Sequence, residues 1–353
     1  MSGPRPSTAG NDRDRFSAEE LAVCLSHHDL GIVSSIQEFG RGSRRAPKVV
    51  IESERGKFLF KRRARGKDDL AKVAFTHQIQ LHLASQNFPL PHLIGTRTDN
   101  NSMLVLGSSI YEMFEYIEAG GYDGSLDATF DAGRILGLYH KLLKSFQSDY
   151  TPPTGSYHNA SAIHQAIDNT VVSLPMETRP PGEVIGQVVK TLHDAYGRCA
   201  TEADKLGLAG WAMQIVHGDW HPGNMLFRDR HVVAVIDYDA ARLQQRVIDL
   251  ANGALQFSII GGGDDPSKWP EYVDQTRFKR FVRGYDTVNV ISKLELRAMP
   301  HLMCEAMIAE AVLPIAATGS FGRISGFPFL QMIQRKVGWI LENIELLSTL
   351  LDE

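Results

Sequence analysis

Cysteine is scarce: three residues in 353, Cys24, Cys199 and Cys304, lie far apart in the chain. An odd, scattered set gives neither a disulfide framework nor the paired spacing of a zinc site. A dominant charge is absent too. With 37 Lys and Arg against 41 Asp and Glu, the formal net charge is −4, which argues against a dedicated nucleic-acid binder and leaves room only for a local basic face. No unbroken apolar run approaches the roughly 18 residues of a membrane span. The opening MSGPRPSTAGNDRDRFS is polar and lacks the apolar core of a secretory signal. These absences lead to the expectation of a cytoplasmic protein with no membrane and no nucleic-acid partner; they set no oligomeric state. What is present is ordinary globular material, 43% hydrophobic and 22% charged, enough for two folded parts.

Residues 1–15 read as a disordered lead. Ser17-Ala-Glu-Glu20 fits a capping box that opens a short helix. Lys48–Ile51 and Lys57–Lys61 flank a turn and predict a hairpin, and Met103–Leu106 with Ile110–Ile117 predict a second. Between them, periodic apolar residues over Asp68–Gln86 predict one crossing helix that stops before Pro89. Residues 16–118 thus read as a small sheet-rich part. Gly120-Gly121 permits a hinge, and 119–353 reads as a larger helical part, with helices over Leu126–Phe146, Pro181–Leu208, Pro270–Val288 and Pro328–Leu351. Ser292-Lys-Leu-Glu295 is a second capping box. One strand-rich island, Ala212–Ile236, interrupts the helices.

The island carries the chemistry. His217-Gly-Asp-Trp-His-Pro-Gly-Asn224 is a polar loop between strand-like runs, and Val232–Ile236 delivers Asp237 at a strand end. A hairpin of this kind brings Asp219, Asn224 and Asp237 to one edge. Such an Asp/Asn/Asp set suits Mg²⁺, which keeps waters and phosphates as its other ligands. The spacing matches the phosphoryl-transfer template of a catalytic aspartate, a metal asparagine and a metal aspartate. A zinc reading of His217, Asp219 and His221 leaves Asn224 and Asp237 unexplained.

HGDWHPGN followed by IDYD resembles the aminoglycoside phosphotransferase and choline/homoserine kinase family, relatives of protein kinases. The resemblance implies a two-lobed, protein-kinase-like α+β fold with a small sheet-rich N-lobe and a larger helical C-lobe. It implies ATP and Mg²⁺ as cofactors and a small-molecule hydroxyl as acceptor. By it Asp219 is the catalytic base, His217 supports the loop, and Asn224 and Asp237 hold the metal. The aspartate of Asp249-Leu-Ala251 buttresses the catalytic loop. Gly40-Arg-Gly-Ser43, hence Gly40, Gly42 and Ser43, resembles the turn beside the phosphates. Lys61 sits on the expected strand, and Glu115-Tyr-Ile117 falls where the adenine connector belongs, through Glu115 and Ile117.

Lys61 lies in a basic stretch, with 12 basic and 4 acidic residues between Arg41 and Lys72. Strand alternation places Phe58 and Phe60 on one face and Lys61 on the other. If the phenylalanines pack under the crossing helix, Lys61 points toward the nucleotide. In kinases a glutamate on that helix braces the lysine. Here Leu70–Gln86 contains no acidic residue, so His77 or Gln80 is expected to orient Lys61, with His77 accepting a hydrogen bond from the ammonium. The missing carboxylate favours a rival from another class, a nucleotide-binding pseudokinase acting as an interaction module. A protein kinase is disfavoured, because Asp249 follows Asp237 by only 12 residues and leaves little room for an activation segment.

Overall fold

A computed structural model describes residues 13–177 and 179–349. The described residues form two compact units. The first takes in the chain through Ala84 together with Leu90–Glu118; the second takes in Ser85–Pro89 and the chain from Ala119. Most of the expected disordered lead, residues 1–12, lies outside the described residues.

In the first unit, helix α1 (Ala18–Ser26) opens on the predicted capping box, with the Ser17 hydroxyl accepting from Glu20 N–H. Strands β1 (Val33–Glu38), β2 (Lys48–Ser53) and β3 (Gly56–Arg62) follow, then helix α2 (Leu70–Ser85), β4 (Leu104–Leu106) and β5 (Ser109–Glu115). They make one antiparallel sheet in the order β1-β2-β3-β5-β4. Alternation works as expected along β3: Phe58 and Phe60 are buried, while Leu59 and Lys61 are only partly so. The cover over the phenylalanines differs from the expectation. They pack with Cys24 and Leu21 of α1, not beneath α2, and Phe60 also stacks on Tyr111 and meets Phe16. Burying each ring stabilises the unit by about 2–3 kcal/mol. Helix α2 therefore serves the opposite face of the sheet, the one that carries Lys61.

The second unit contains α3 (Leu126–Leu142), α4 (Ser161–Ser173) and α5 (Gly182–Lys205). Two short sheets follow, β6 (Met213–Val216) with β9 (Arg242–Gln245), and β7 (Met225–Arg228) with β8 (His231–Val235). Then come α6 (Arg246–Ser258), α7 (Gln275–Asp286), α8 (Lys293–Thr318) and α9 (Gly326–Glu342). Helix α8 starts on the second predicted capping box and packs against α4, α5, α6 and α9. By length and composition it is apolar enough to cross a membrane, with a mean hydropathy of 1.3 over 18 residues, although Arg297, His301, Glu305 and Glu310 break its apolar runs. Met299, Met303 and Ile308 are wholly buried in the unit, as the core helix of a globular fold requires.

Candidate active site

In the second unit, strand β6 delivers His217 into a buried pocket of aromatic rings. Trp220 and Tyr238 lie 5.3 Å from its ring and Tyr139 5.9 Å. Burial lowers its pKa, so the neutral imidazole donates from Nε2 to the Ile236 carbonyl, 3.3 Å away. His217 thus fixes the segment that carries Asp237 and reaches no open surface. Gly218 follows at φ +75°, and a Cβ there would lie 2.4 Å from the Ala240 carbonyl oxygen; only glycine fits. The Asp249 carboxylate accepts from the N–H groups of His217 and Gly218, at 3.0 and 2.9 Å, and contacts His140 Nε2 at 3.1 Å. His140 Nδ1 meets the Tyr285 hydroxyl at 2.9 Å. Asp249 is 1% exposed, so it buttresses the loop from within.

Asp219 and Asn224 come together directly. Asn224 Nδ2 donates to Asp219 Oδ2 at 2.9 Å and to the Asp219 carbonyl at 3.0 Å. Its carbonyl oxygen Oδ1 is then the atom left for a cation. His221 Nε2 lies 3.6 Å from the same carboxylate oxygen. Burial by itself raises the Asp219 pKa, but His221, His217 and Asn224 outweigh it and hold the group below its ordinary value. Asp237 is tied in through the backbone, because Ile236 N–H donates to the Asn224 carbonyl at 2.9 Å. It adopts φ +63°, a conformation costly for a side chain with a Cβ and typical of functional positions. Its side chain is exposed. An amide oxygen and a carboxylate are the donor types a hard cation takes when it keeps water and phosphate ligands. Among the described residues no group of three His, Cys, Asp or Glu that could hold a metal ion is present.

In the first unit, Gly40, Gly42 and Ser43 lie in the β1–β2 turn, with Gly42 at φ +82°. Glu115 ends β5, and Ile117 follows it in the segment leaving the sheet. Lys61 is not held by His77 or Gln80. Its ammonium pairs with Glu112 Oε2 at 3.0 Å, and Glu112 is the direct register partner of Lys61 across the β3–β5 ladder. Arg63 grips both oxygens of Glu112, at 2.8 and 2.9 Å. His77 Nε2 contacts Oε1 at 2.7 Å, while its Nδ1 meets Ser102 Oγ. His77 therefore donates to a carboxylate instead of accepting from the lysine, and Gln80 donates to the Thr76 carbonyl. The carboxylate side chain is fully buried. Its burial alone raises the pKa, yet Lys61, His77 and Arg63 together hold it well below the ordinary value. Sequence reasoning looked for the brace on the helix and missed it on the strand; the trace was one charged residue inside the apolar run Ile110–Phe114.

A lysine–glutamate pair on a sheet, and a loop that bonds aspartate to asparagine and is tied by its backbone to the segment of a second aspartate, are parts of the phosphoryl-transfer pattern. Residues 35–285 match the phosphotransferase enzyme family, APH, and the chain belongs to that family. It is a phosphotransferase enzyme. No curated protein matches the chain. Among solved structures it is similar to a microcompartment-associated aminopropanol kinase, with 12% identity, TM-score 0.69, and coverage of 94% of this chain and 99% of that one. An amicoumacin kinase in complex with AMP-PNP and Ca²⁺ gives 11% identity, TM-score 0.66, and 93% and 94% coverage. Choline kinase from Cryptosporidium parvum Iowa II gives 13%, 0.57, and 94% and 97%. At these identities the likeness shows the fold, the two-lobed protein-kinase-like α+β architecture.

Proposed function

We propose that this enzyme uses ATP with Mg²⁺ and transfers the γ-phosphoryl group to a hydroxyl of a small metabolite. The acceptor classes are an amino alcohol, a hydroxy amino acid such as homoserine, a sugar or an aminoglycoside. The observation that carries the reading is the Asp219–Asn224 bond, with Asp237 tied to Asn224 through Ile236. Asp219 accepts the proton of the acceptor hydroxyl while that oxygen bonds to phosphorus and the bond to the β–γ bridging oxygen breaks, leaving ADP. Asn224 Oδ1 and Asp237 would hold Mg²⁺, which supplies charge neutralisation on the phosphate oxygens. Lys61 contacts the phosphates, with Gly40, Gly42 and Ser43 beside them, and the backbone near Glu115 and Ile117 receives the adenine. Residues 16–118 serve the nucleotide and 119–353 the acceptor.

Glu310 of α8 supports an acceptor that carries an amine. Gln256 Nε2 donates to its carboxylate. Glu310 is exposed to solvent at its surface, yet the protein around its carboxyl, with the charge of Asp219, shifts its pKa upward, to about 7. A cation bound there would offset the charge of Asp219 and favour the ionised carboxylate. The free, buried thiols of all three cysteines suit a cytoplasmic enzyme. The observation that favoured a non-catalytic module, a crossing helix without a carboxylate, has its counterpart in Glu112. The test is an ATP-consumption screen over amino alcohols, hydroxy amino acids, sugars and aminoglycosides, run with the parent and with Asp219→Asn. On the accepted substrate the variant should lose about 10²–10⁴-fold in turnover and keep its ATP·Mg affinity. Equal activity of the two proteins removes Asp219 from the role of base.

A further inference from the structure

The segment just before α1 runs along the β1–β2 turn and is anchored at both ends. Phe16, partly buried, packs against the core at Phe60, Arg15 pairs with Glu38 at 3.3 Å, and Asp14 N–H donates to the Arg44 carbonyl at 2.9 Å. Arg13 reaches furthest. Its guanidinium donates to the Gly40 carbonyl at 2.7 Å, to the Ser43 carbonyl at 3.4 Å and to the Gly42 carbonyl at 3.5 Å. A peptide unit is planar and trans, so its carbonyl and the next N–H point in opposite directions. Three carbonyls turned toward Arg13 therefore turn the N–H groups of Arg41, Ser43 and Arg44 away from it. Among the described residues, the N–H groups of Arg41 and Ser43 donate no hydrogen bond. They flank Gly42, which adopts a positive φ, and successive backbone N–H groups in a turn of this kind can cradle an anion.

We infer that Arg13 is a positioning residue for the nucleotide phosphates: it holds the turn from behind so that the Arg41 and Ser43 N–H groups face the anion. The inference rests on the proposed use of ATP. It assigns Arg13 no contact with the ligand. The fork geometry matters, because one planar guanidinium serves three carbonyls and a single ammonium does not. Arg13 stands outside the core, so its loss should leave the fold intact.

The experiment measures binding of AMP-PNP·Mg and of adenosine to the full chain by calorimetry, for the parent, Arg13→Ala and Arg13→Lys. Arg13→Ala should weaken AMP-PNP about 10-fold and leave adenosine within about 2-fold, because the lost contribution concerns phosphate alone. Arg13→Lys should rescue only a small part. In turnover, KM for ATP should rise with kcat little changed. Unchanged AMP-PNP affinity in Arg13→Ala overturns the inference while the nucleotide reading stands. Equal weakening of adenosine overturns it as general damage, and full rescue by lysine overturns it in favour of direct charge attraction. If the parent itself binds no AMP-PNP, the nucleotide reading falls and the inference with it.

Discussion

Glu112→Gln keeps the size of the side chain and removes its charge. In the parent, four donors from Lys61, Arg63 and His77 share two buried carboxylate oxygens. Glutamine offers one oxygen, and its NH₂ group meets two of those donors head-on. Breaking a buried ion pair from one side costs about 3–5 kcal/mol. Lys61 is 22% exposed and Arg63 7%, so the larger share falls on Arg63 and the lysine share shrinks toward about 1 kcal/mol. For a unit of this size each kcal/mol moves the midpoint by several degrees, and a fall of about 10 °C or more in thermal unfolding is expected. The sign with pH follows from the depressed pKa. The carboxylate stabilises the fold fully above about pH 4.5, and that contribution is lost as pH falls toward the folded value, so Glu112→Gln should flatten the acid limb of the stability curve. Activity separates positioning from folding. At a temperature where the variant is fully folded, kcat/KM for ATP should fall about 10–100-fold as Lys61 loses its fixed place. Combined with Lys61→Met, Glu112→Gln should add little further loss, because both act through one ammonium. An unchanged KM for ATP, or full additivity with Lys61→Met, refutes the reasoning.

Asp237→Ala removes a proposed metal ligand, so the thermal shift given by ATP·Mg should shrink sharply while that given by adenosine stays; an unchanged ATP·Mg shift would move the metal role elsewhere. Gly218→Ala forces a Cβ against the Ala240 carbonyl at a positive φ, so turnover should collapse and stability fall by about 1–3 kcal/mol in denaturant titration. Glu310 ionises as pH rises through about 7, so KM for an amine-bearing acceptor should fall across that range. Since His221 has a raised pKa and lies beside Asp219, the comparison needs Glu310→Gln, whose KM should be flat across the same range.

Local chemistry made much of the fold legible. Ser17 with Glu20, and Ser292 with Glu295, announced two helix starts through their capping boxes, and both form. The two N-terminal hairpins and the β7–β8 pair were visible as apolar runs around turn residues. Arg242–Gln245 carries no strand pattern, and it becomes β9 only because β6 pairs with it from 29 residues upstream. The HGD…N…D spacing picked out Asp219 and Asn224, which are hydrogen-bonded, because that loop is local. Glu112 was not legible for the opposite reason. Its meeting with Lys61 depends on β5 pairing with β3 across an intervening helix and strand, and no periodicity reports that register.

The origin of Glu112 on a strand also bears on control. In protein kinases the partner glutamate rides on a helix that swings, so the ion pair opens and closes and activity is toggled by whatever moves that helix. Here the two residues face each other as rungs of one hydrogen-bonded ladder, so no helix movement carries the glutamate away from the lysine. Arg63 and His77 pin the same carboxylate from two further directions. A switch of the protein-kinase kind, in which a helix carries the glutamate, has no counterpart at this pair.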